Sequence, residues 1–234
     1  MKVAILVYGI NRSINKTYGS IKKYIFDILL ANSIEYDIFV HTYKLDTQYS
    51  NKRNNEKGAF IKHEEMNIFK ANNIIFDDQN EIDKNHGDMN EYTKLVKVCD
   101  TDIVKNYVRA LYSLKSALEM IDTDKYDVCI IIRPDLLFES PLNIDDLVKS
   151  IKNNMLYVPD FARYHGYNDR FAFGSIEKIK EYSMRYNKFL KYLQKVRHTY
   201  INAESFLKDA IQEPNETHIR FKRVRINGRI ENDK

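Results

Sequence analysis

Hydrophobic positions along this chain change period repeatedly, and each change marks an element. "KVAILVYG" (Lys2–Gly9) is an apolar run closed by glycine, as in a strand covered on both faces. "TYGSIKKYIFDILLAN" follows with Tyr18, Ile21, Ile25, Ile28 and Leu29 at helical spacing, and "YDIFVHTY" (Tyr36–Tyr43) is a strand again. Strand, helix and strand within about forty residues form a βαβ unit, which implies a parallel sheet and a right-handed crossover. Between Lys44 and Asn90 the chain turns polar and rich in Asn and Lys. This stretch predicts a short helix near Ile61–Lys70, a strand at "NIIFDD" and otherwise loops.

The clearest helix is "DIVKNYVRALYSLKSALEMID". Val104, Val108, Leu111, Leu114, Leu118 and Ile121 form its apolar stripe, and Asp100 or Thr101 can cap it. "YDVCIIIRPDLLFES" (Tyr126–Ser140) then reads as a core strand, followed by a helix after Asn143 and a short strand "MLYVP". An aromatic loop "DFARYHGYND" leads into the strand "RFAFG". Ser175 can cap the helix "IEKIKEYSMRYNKFLKYL", Asn202 can cap "AESFLKDAI", and "IRFKRVRI" is the last strand. There is no repeat and no low-complexity linker. The pattern predicts one α/β domain over residues 1–234, with an open, mostly parallel sheet flanked by helices.

Composition narrows the class. At 234 residues the chain can bury roughly 70–75% of its unfolded surface. Hydrophobic content of 44% and charged content of 30% describe a soluble globule rather than a disordered chain. The net charge of +4 is small, and basic residues are interleaved with acids, which argues against a nucleic-acid binder. Only "HIRFKRVRINGR" is locally basic, and an edge strand with alternating Lys and Arg gives the same pattern. Cys99 and Cys129 are the only cysteines. Both sit in apolar surroundings and read as free thiols in a reducing compartment. The first apolar run is too short for a membrane span and lacks a signal-peptide pattern, so a cytoplasmic location is expected.

The chemistry begins where the strand of Cys129–Ile132 meets Arg133, Pro134 and Asp135. A charge buried without a partner costs several kcal/mol, so both charged groups belong at the carboxyl end of the strand, where the cleft of an open α/β sheet lies. Pro134 cannot donate to a ladder and marks where pairing stops. Two readings are open. Arg133 and Asp135 can form a local salt bridge that pins the loop. Alternatively, Asp135 is a hard-oxygen ligand for Mg²⁺ or Mn²⁺, with Arg133 facing phosphate or holding the carboxylate in place.

Six further groups carry candidate roles, most beside a structural one. Gly9, Asn11 and Arg12 follow the first strand and can meet a ligand or simply make a strand-to-helix turn. His41 and Thr42 end the second strand, where a lone histidine is as a rule a hydrogen-bonded structural residue. Asn106, Arg109 and Ser113 share one edge of the long helix beside its apolar stripe, as a solvated flank does. Asp169, after the aromatic loop, is a candidate general base or a turn residue. Tyr164, His165 and Tyr167 offer aromatic faces for stacking. Glu204, in the first turn of its helix, is the competing base, although a helix dipole favours a negative charge there in any case. His218 and the basic tail are further candidates for phosphate.

The ordered elements "YGINRS", "FVHTY", a long amphipathic helix, "YD-apolar-RPDLLF", "NDRFAFGS" and "AESFL" resemble one known group. They are similar to the small GT-A-type nucleotide-diphospho-sugar glycosyltransferases of large DNA viruses and bacterial surface-polysaccharide clusters, in particular the algal-virus capsid family. The likeness runs from Lys2 to about Arg225, and its most specific element is the RPD tripeptide. It implies a nucleotide-binding half over about 1–122, a metal and acceptor half over 123–234, and host cytoplasm as the location if the chain is viral. The implied reaction moves a sugar from a nucleoside-diphosphate-sugar, UDP by analogy, to a glycan or glycoprotein hydroxyl. Asp135 takes the place of the family's metal-binding Asp-x-Asp element for Mn²⁺ or Mg²⁺, with Arg133 where the first aspartate stands. Gly9, Asn11, Arg12, His41, Arg109 and Arg133 would meet the donor, and Asp169 or Glu204 would act as base. Rival readings are an inactive glycan-binding or assembly module with this fold, and a nucleotidyltransferase using the same cleft.

Overall fold

The computed structural model describes residues 1–51, 54–85, 89–97, 101–196 and 201–232. In chain order, β1 (Lys2–Tyr8) is followed by α1 (Ile14–Ile21), a π-helical turn (Lys22–Phe26) and α2 (Asp27–Ala31), which together make one crossover. Next come β2 (Glu35–Lys44), β3 (Tyr49–Asn51), β4 (Glu56–Ala59), a 3₁₀ helix (His63–Phe69) and β5 (Asn73–Asp78). Helices α3 (Gln79–Asn85), α4 (Met89–Lys94) and α5 (Thr101–Glu119) lead to β6 (Val128–Ile132), β7 (Leu136–Phe138) and α6 (Ile144–Lys152). Then β8 (Leu156–Pro159), β9 (Phe171–Ser175), α7 (Ile176–Ser183), α8 (Tyr186–Lys195) and α9 (Ala203–Ala210) complete the helical layers. The C-terminal stretch adds β10 (Asn215–Thr217), β11 (Phe221–Val224) and β12 (Ile230–Glu231).

The central sheet has seven strands in the order β10-β8-β9-β6-β1-β2-β5. Only β9 runs against the others, pairing antiparallel with both β6 and β8. This is the α/β architecture that the periodicity predicts, with an open, mostly parallel sheet between helices. The continuous apolar runs are explained by burial on both faces. Ala4, Leu6, Cys129 and Ile131 face one core with α5, α7, α8 and α9, whereas Val3, Ile5, Ile130 and Ile132 face the other with α1 and α6. All six residues of the α5 stripe are buried. Asn143, Ser175 and Asn202 each accept a backbone N–H at the start of α6, α7 and α9. The other proposed cap, Asp100, lies outside the described residues, as does Cys99; Cys129 is a buried free thiol.

Two further assemblies shape the region above the sheet. Strands β12-β11-β7 form a small antiparallel sheet, in which Arg223 pairs with Leu136. Strands β3 and β4 form a hairpin, which the polar sequence did not disclose. The helix expected over Ile176–Leu193 is in fact two, broken at Met184–Arg185, where Arg185 turns inward and is buried over the Tyr182 ring at 3.9 Å. No helix among the described residues is long and apolar enough to cross a membrane.

Candidate active site

A cleft of about 1310 Å³ opens at the carboxyl ends of β1, β2, β5 and β6, where ligands meet open α/β sheets. Its floor begins at Gly9, whose φ of +95° favours glycine. The Gly9 N–H donates to Ser113 Oγ at 2.8 Å and to the His41 carbonyl at 3.2 Å. Ser113 on α5 thus fixes the β1–α1 turn that carries Arg12. Two more buried bonds tie this turn to neighbouring segments. Ser13 Oγ donates to the Val224 carbonyl at 2.8 Å, and Thr17 Oγ1 to the Pro134 carbonyl at 2.6 Å.

These bonds bring three distant segments onto one carboxylate. Asp135 is 1% exposed. Its Oδ1 accepts from Arg133 Nε at 3.0 Å; its Oδ2 accepts from Arg133 Nη2 at 2.8 Å and from Arg12 Nη2. Burial would raise this carboxyl, but the fields of Arg12 and Arg133, the Arg133 hydrogen bonds and the field of Arg223 outweigh it. They hold Asp135 well below the usual carboxylate range. Val224 N–H donates to the Asp135 carbonyl at 2.9 Å, which brings β11 alongside and sets Arg223 and Arg225 at the same cleft. Burial, with the fields of Arg12 and Arg223 added, pushes Arg225 down to about 10. Arg225 also donates to Glu231 Oε1 at 3.3 Å.

A second group of lining residues is acidic and aromatic. Asp169 and Glu204 are each 5% exposed and both line the cleft. Arg170 Nη2 donates to Glu204 Oε1 at 2.7 Å. Burial and the nearby Asp169 charge raise Glu204 nonetheless. Among the described residues, no hydrogen-bond donor reaches the Asp169 carboxylate, whereas its carbonyl is held by Tyr182 Oη at 2.9 Å and Tyr8 Oη at 3.3 Å. Burial pushes the Tyr8 phenol up to about 12, with Arg133 opposing and Asp169 adding. Tyr164 and His165 line the same cleft. Their loop is fastened to α9: Tyr167 N–H donates to the Glu204 carbonyl at 3.2 Å, and Asn202 Nδ2 to the Tyr164 carbonyl at 3.0 Å.

Several expected site residues do other work. His41 is 0% exposed, with Nδ1 at 2.8 Å from Ser113 Oγ and Nε2 at 3.0 Å from Asp77. Both ring nitrogens are used inside the core, and burial lowers its pKa against the pull of Asp77. It does not line the cleft. Asn11 is also turned inward, donating to the Lys62 carbonyl at 2.7 Å and accepting from Ile14 N–H at 3.1 Å. Its place is structural, as a cap of α1. Arg109 does line the cleft, but Asp83 engages it, with Nε to Oδ1 at 2.9 Å. His218 pairs with Asp160 at 3.4 Å, and neither His218 nor Tyr167 lines the cleft.

The residues around Asp135 do not fit a divalent ion. Guanidinium donors occupy both oxygens, so a cation on either would sit against Arg12 and Arg133. Among the described residues, no group of three His, Cys, Asp or Glu side chains could hold a metal. Where the Mn²⁺ or Mg²⁺ ligand was expected, Asp135 lies in an ion-pair cluster, because Arg12 and β11 reach a carboxylate that sequence spacing left open.

Sequence reading passed over Arg170, and offered Arg223, Arg225 and Arg229 only collectively, as part of a basic tail with a candidate role toward phosphate. Their signal was the alternation of Arg223 and Arg225, two apart and so on one side of extended backbone.

No family model matches the chain, and no curated protein matches it. Among solved structures, the apo form of mouse xyloside xylosyltransferase 1 is similar, at 10% identity and a TM-score of 0.43 over 89% of this chain and 81% of that one.

Proposed function

We propose that this chain is a glycosyltransferase that moves a sugar from a nucleoside-diphosphate-sugar to a hydroxyl of a glycan or glycoprotein. The observation that carries the reading is the polarity of one cleft. The same cleft is lined by a cationic group (Arg12, Arg133, Arg223, Arg225) and by Asp169, Glu204 and the Tyr164–His165 loop. Its volume, about 1310 Å³, exceeds the usual range of small-ligand pockets and leaves room for a donor and an acceptor together. The resemblance of the ordered elements to GT-A-type enzymes supports the same reading and makes UDP the expected nucleotide.

The chemistry follows from these two groups. The donor's diphosphate rests on the guanidinium side, and the acceptor hydroxyl lies on the carboxylate side. The acceptor oxygen forms a bond to the anomeric carbon as the bond from that carbon to the phosphate oxygen breaks. The electron pair leaves with the nucleoside diphosphate, whose charge the arginines stabilise. Asp169 takes the proton of the attacking hydroxyl, because its carboxylate is not engaged by a donor among the described residues, whereas Arg170 holds Glu204.

Incubation with a panel of nucleotide-sugars, scored by nucleoside diphosphate release, tests the proposal. Asp169→Asn should lower kcat by about 10²–10⁴-fold with donor KM little changed. Release of pyrophosphate would point to a nucleotidyltransferase. Binding of glycans with no turnover on any donor would leave an inactive module.

A further inference from the structure

The cluster around Asp135 gathers four guanidiniums in one place. Arg12, Arg133 and Arg223 all act on Asp135, and Arg12 and Arg223 act in turn on Arg225. Among the described residues, the carboxylates set against them are the buried Asp135 and Glu56, and Glu231, whose side chain is 28% exposed. Over the whole cleft, eight cationic side chains face five carboxylates among the described lining residues. Like charges held this close repel, and the cost is kept only where something offsets it. Asp135 offsets part. Its geometry also gives it a second effect: it holds the Arg133 fork and Arg12 Nη2 in fixed positions. Among the described residues, Arg12 Nε is buried with no hydrogen-bond partner.

We propose that Arg12, Arg133, Arg223 and Arg225 hold the donor's diphosphate directly, with no divalent ion between protein and phosphate, and that Asp135 is a positioning residue for two of them. The inference rests on the nucleotide-sugar reading of the cleft and adds that no metal shares the phosphate charge with the arginines. Arginine suits the task, because its planar fork meets phosphate oxygens in pairs and keeps its charge when partly buried. In this arrangement the guanidiniums neutralise the departing diphosphate, and Asp135 spends its oxygens on alignment.

Calorimetric titration of the full chain with UDP, GDP and inorganic pyrophosphate, in EDTA and again with MnCl₂, separates the cases. The expected result is binding in EDTA with an affinity within about threefold of that in Mn²⁺, weakened about tenfold or more by Arg225→Gln and by Arg223→Gln. The half-buried Arg223 keeps the test usable if the Arg225 variant fails to fold. Asp135→Asn, checked for a folded near-ultraviolet circular dichroism spectrum, should still bind UDP in EDTA within about tenfold of the parent. Binding that needs Mn²⁺, or that both arginine variants leave unchanged, overturns the inference and leaves the nucleotide-sugar reading standing. Pyrophosphate held in EDTA while neither nucleotide binds keeps the clamp and removes that reading. No binding under any condition overturns both.

Discussion

At the scale of single residues, Asp135 concentrates the interplay of burial and charge. Removing its charge leaves two guanidiniums partly buried without their anion, so Asp135→Asn should destabilise the fold by about 3–5 kcal/mol near pH 7. The pH dependence has a definite sign. Because its native pKa is depressed, Asp135 contributes stability above the unfolded value of about 3.9, and the contribution is lost as pH falls through the native value. Thermal melts from pH 7 down to about pH 2 should therefore narrow the gap between parent and Asp135→Asn below about pH 4; a constant gap would mean that Asp135 is not the titrating group. The RPD tripeptide exposed this residue in the sequence, since a charge inside an apolar run has to find an exit or a partner. Its partners were not readable there. Arg12 lies 123 residues away and Arg223 further down the chain, and their approach depends on buried bonds such as Ser13 to Val224.

Among elements, the aromatic loop shows how local backbone shape positions the acidic wall. Ala162, Tyr164 and His165 all adopt positive φ, at 51°, 38° and 71°. The loop passes so close to α9 that a Cβ on Gly166 would lie 1.8 Å from the Glu204 carbonyl. Gly166→Ala must therefore push the loop off α9, break the Tyr167 to Glu204 bond, and cost about 1–3 kcal/mol. On the proposed function, acceptor KM should rise more than donor KM. A variant with unchanged acceptor kinetics would remove the loop from the acceptor side. Strands with continuous apolar runs and helices with side-chain caps were legible because period and capping chemistry are local. The break at Met184–Arg185 was not, since apolar spacing continues through it and only the tertiary site for Arg185, over Tyr182, ends the helix. The β3–β4 hairpin escaped for a related reason: its short polar strands gain little from burial, and its role is to bring Glu56 to the Ile226 N–H at 3.0 Å.

Over the whole molecule, the balance of charge conceals the site. Lys and Arg total 37 against 33 Asp and Glu, so a formal charge of +4 gives no hint of a cationic cleft. The fold separates what composition averages. It gathers arginines from the β1–α1 turn, the end of β6 and the segment from β11 to β12 at the carboxyl ends of the strands, while lysines elsewhere on the surface pair with acids, as at Lys22–Asp27 and Lys115–Glu119. Binding at such a site should depend on ionic strength in proportion to the ligand's charge. The Debye length falls from about 10 Å at 0.1 M salt to about 3 Å at 1 M, and the arginines that line the cleft are only partly shielded from that change. Raising NaCl from about 0.05 M to 0.5 M should weaken UDP binding roughly tenfold and UMP binding less, because UMP presents a single phosphate. Parallel salt dependences for the two would place the affinity in the base and ribose, and the cationic wall would then serve the fold rather than the phosphate.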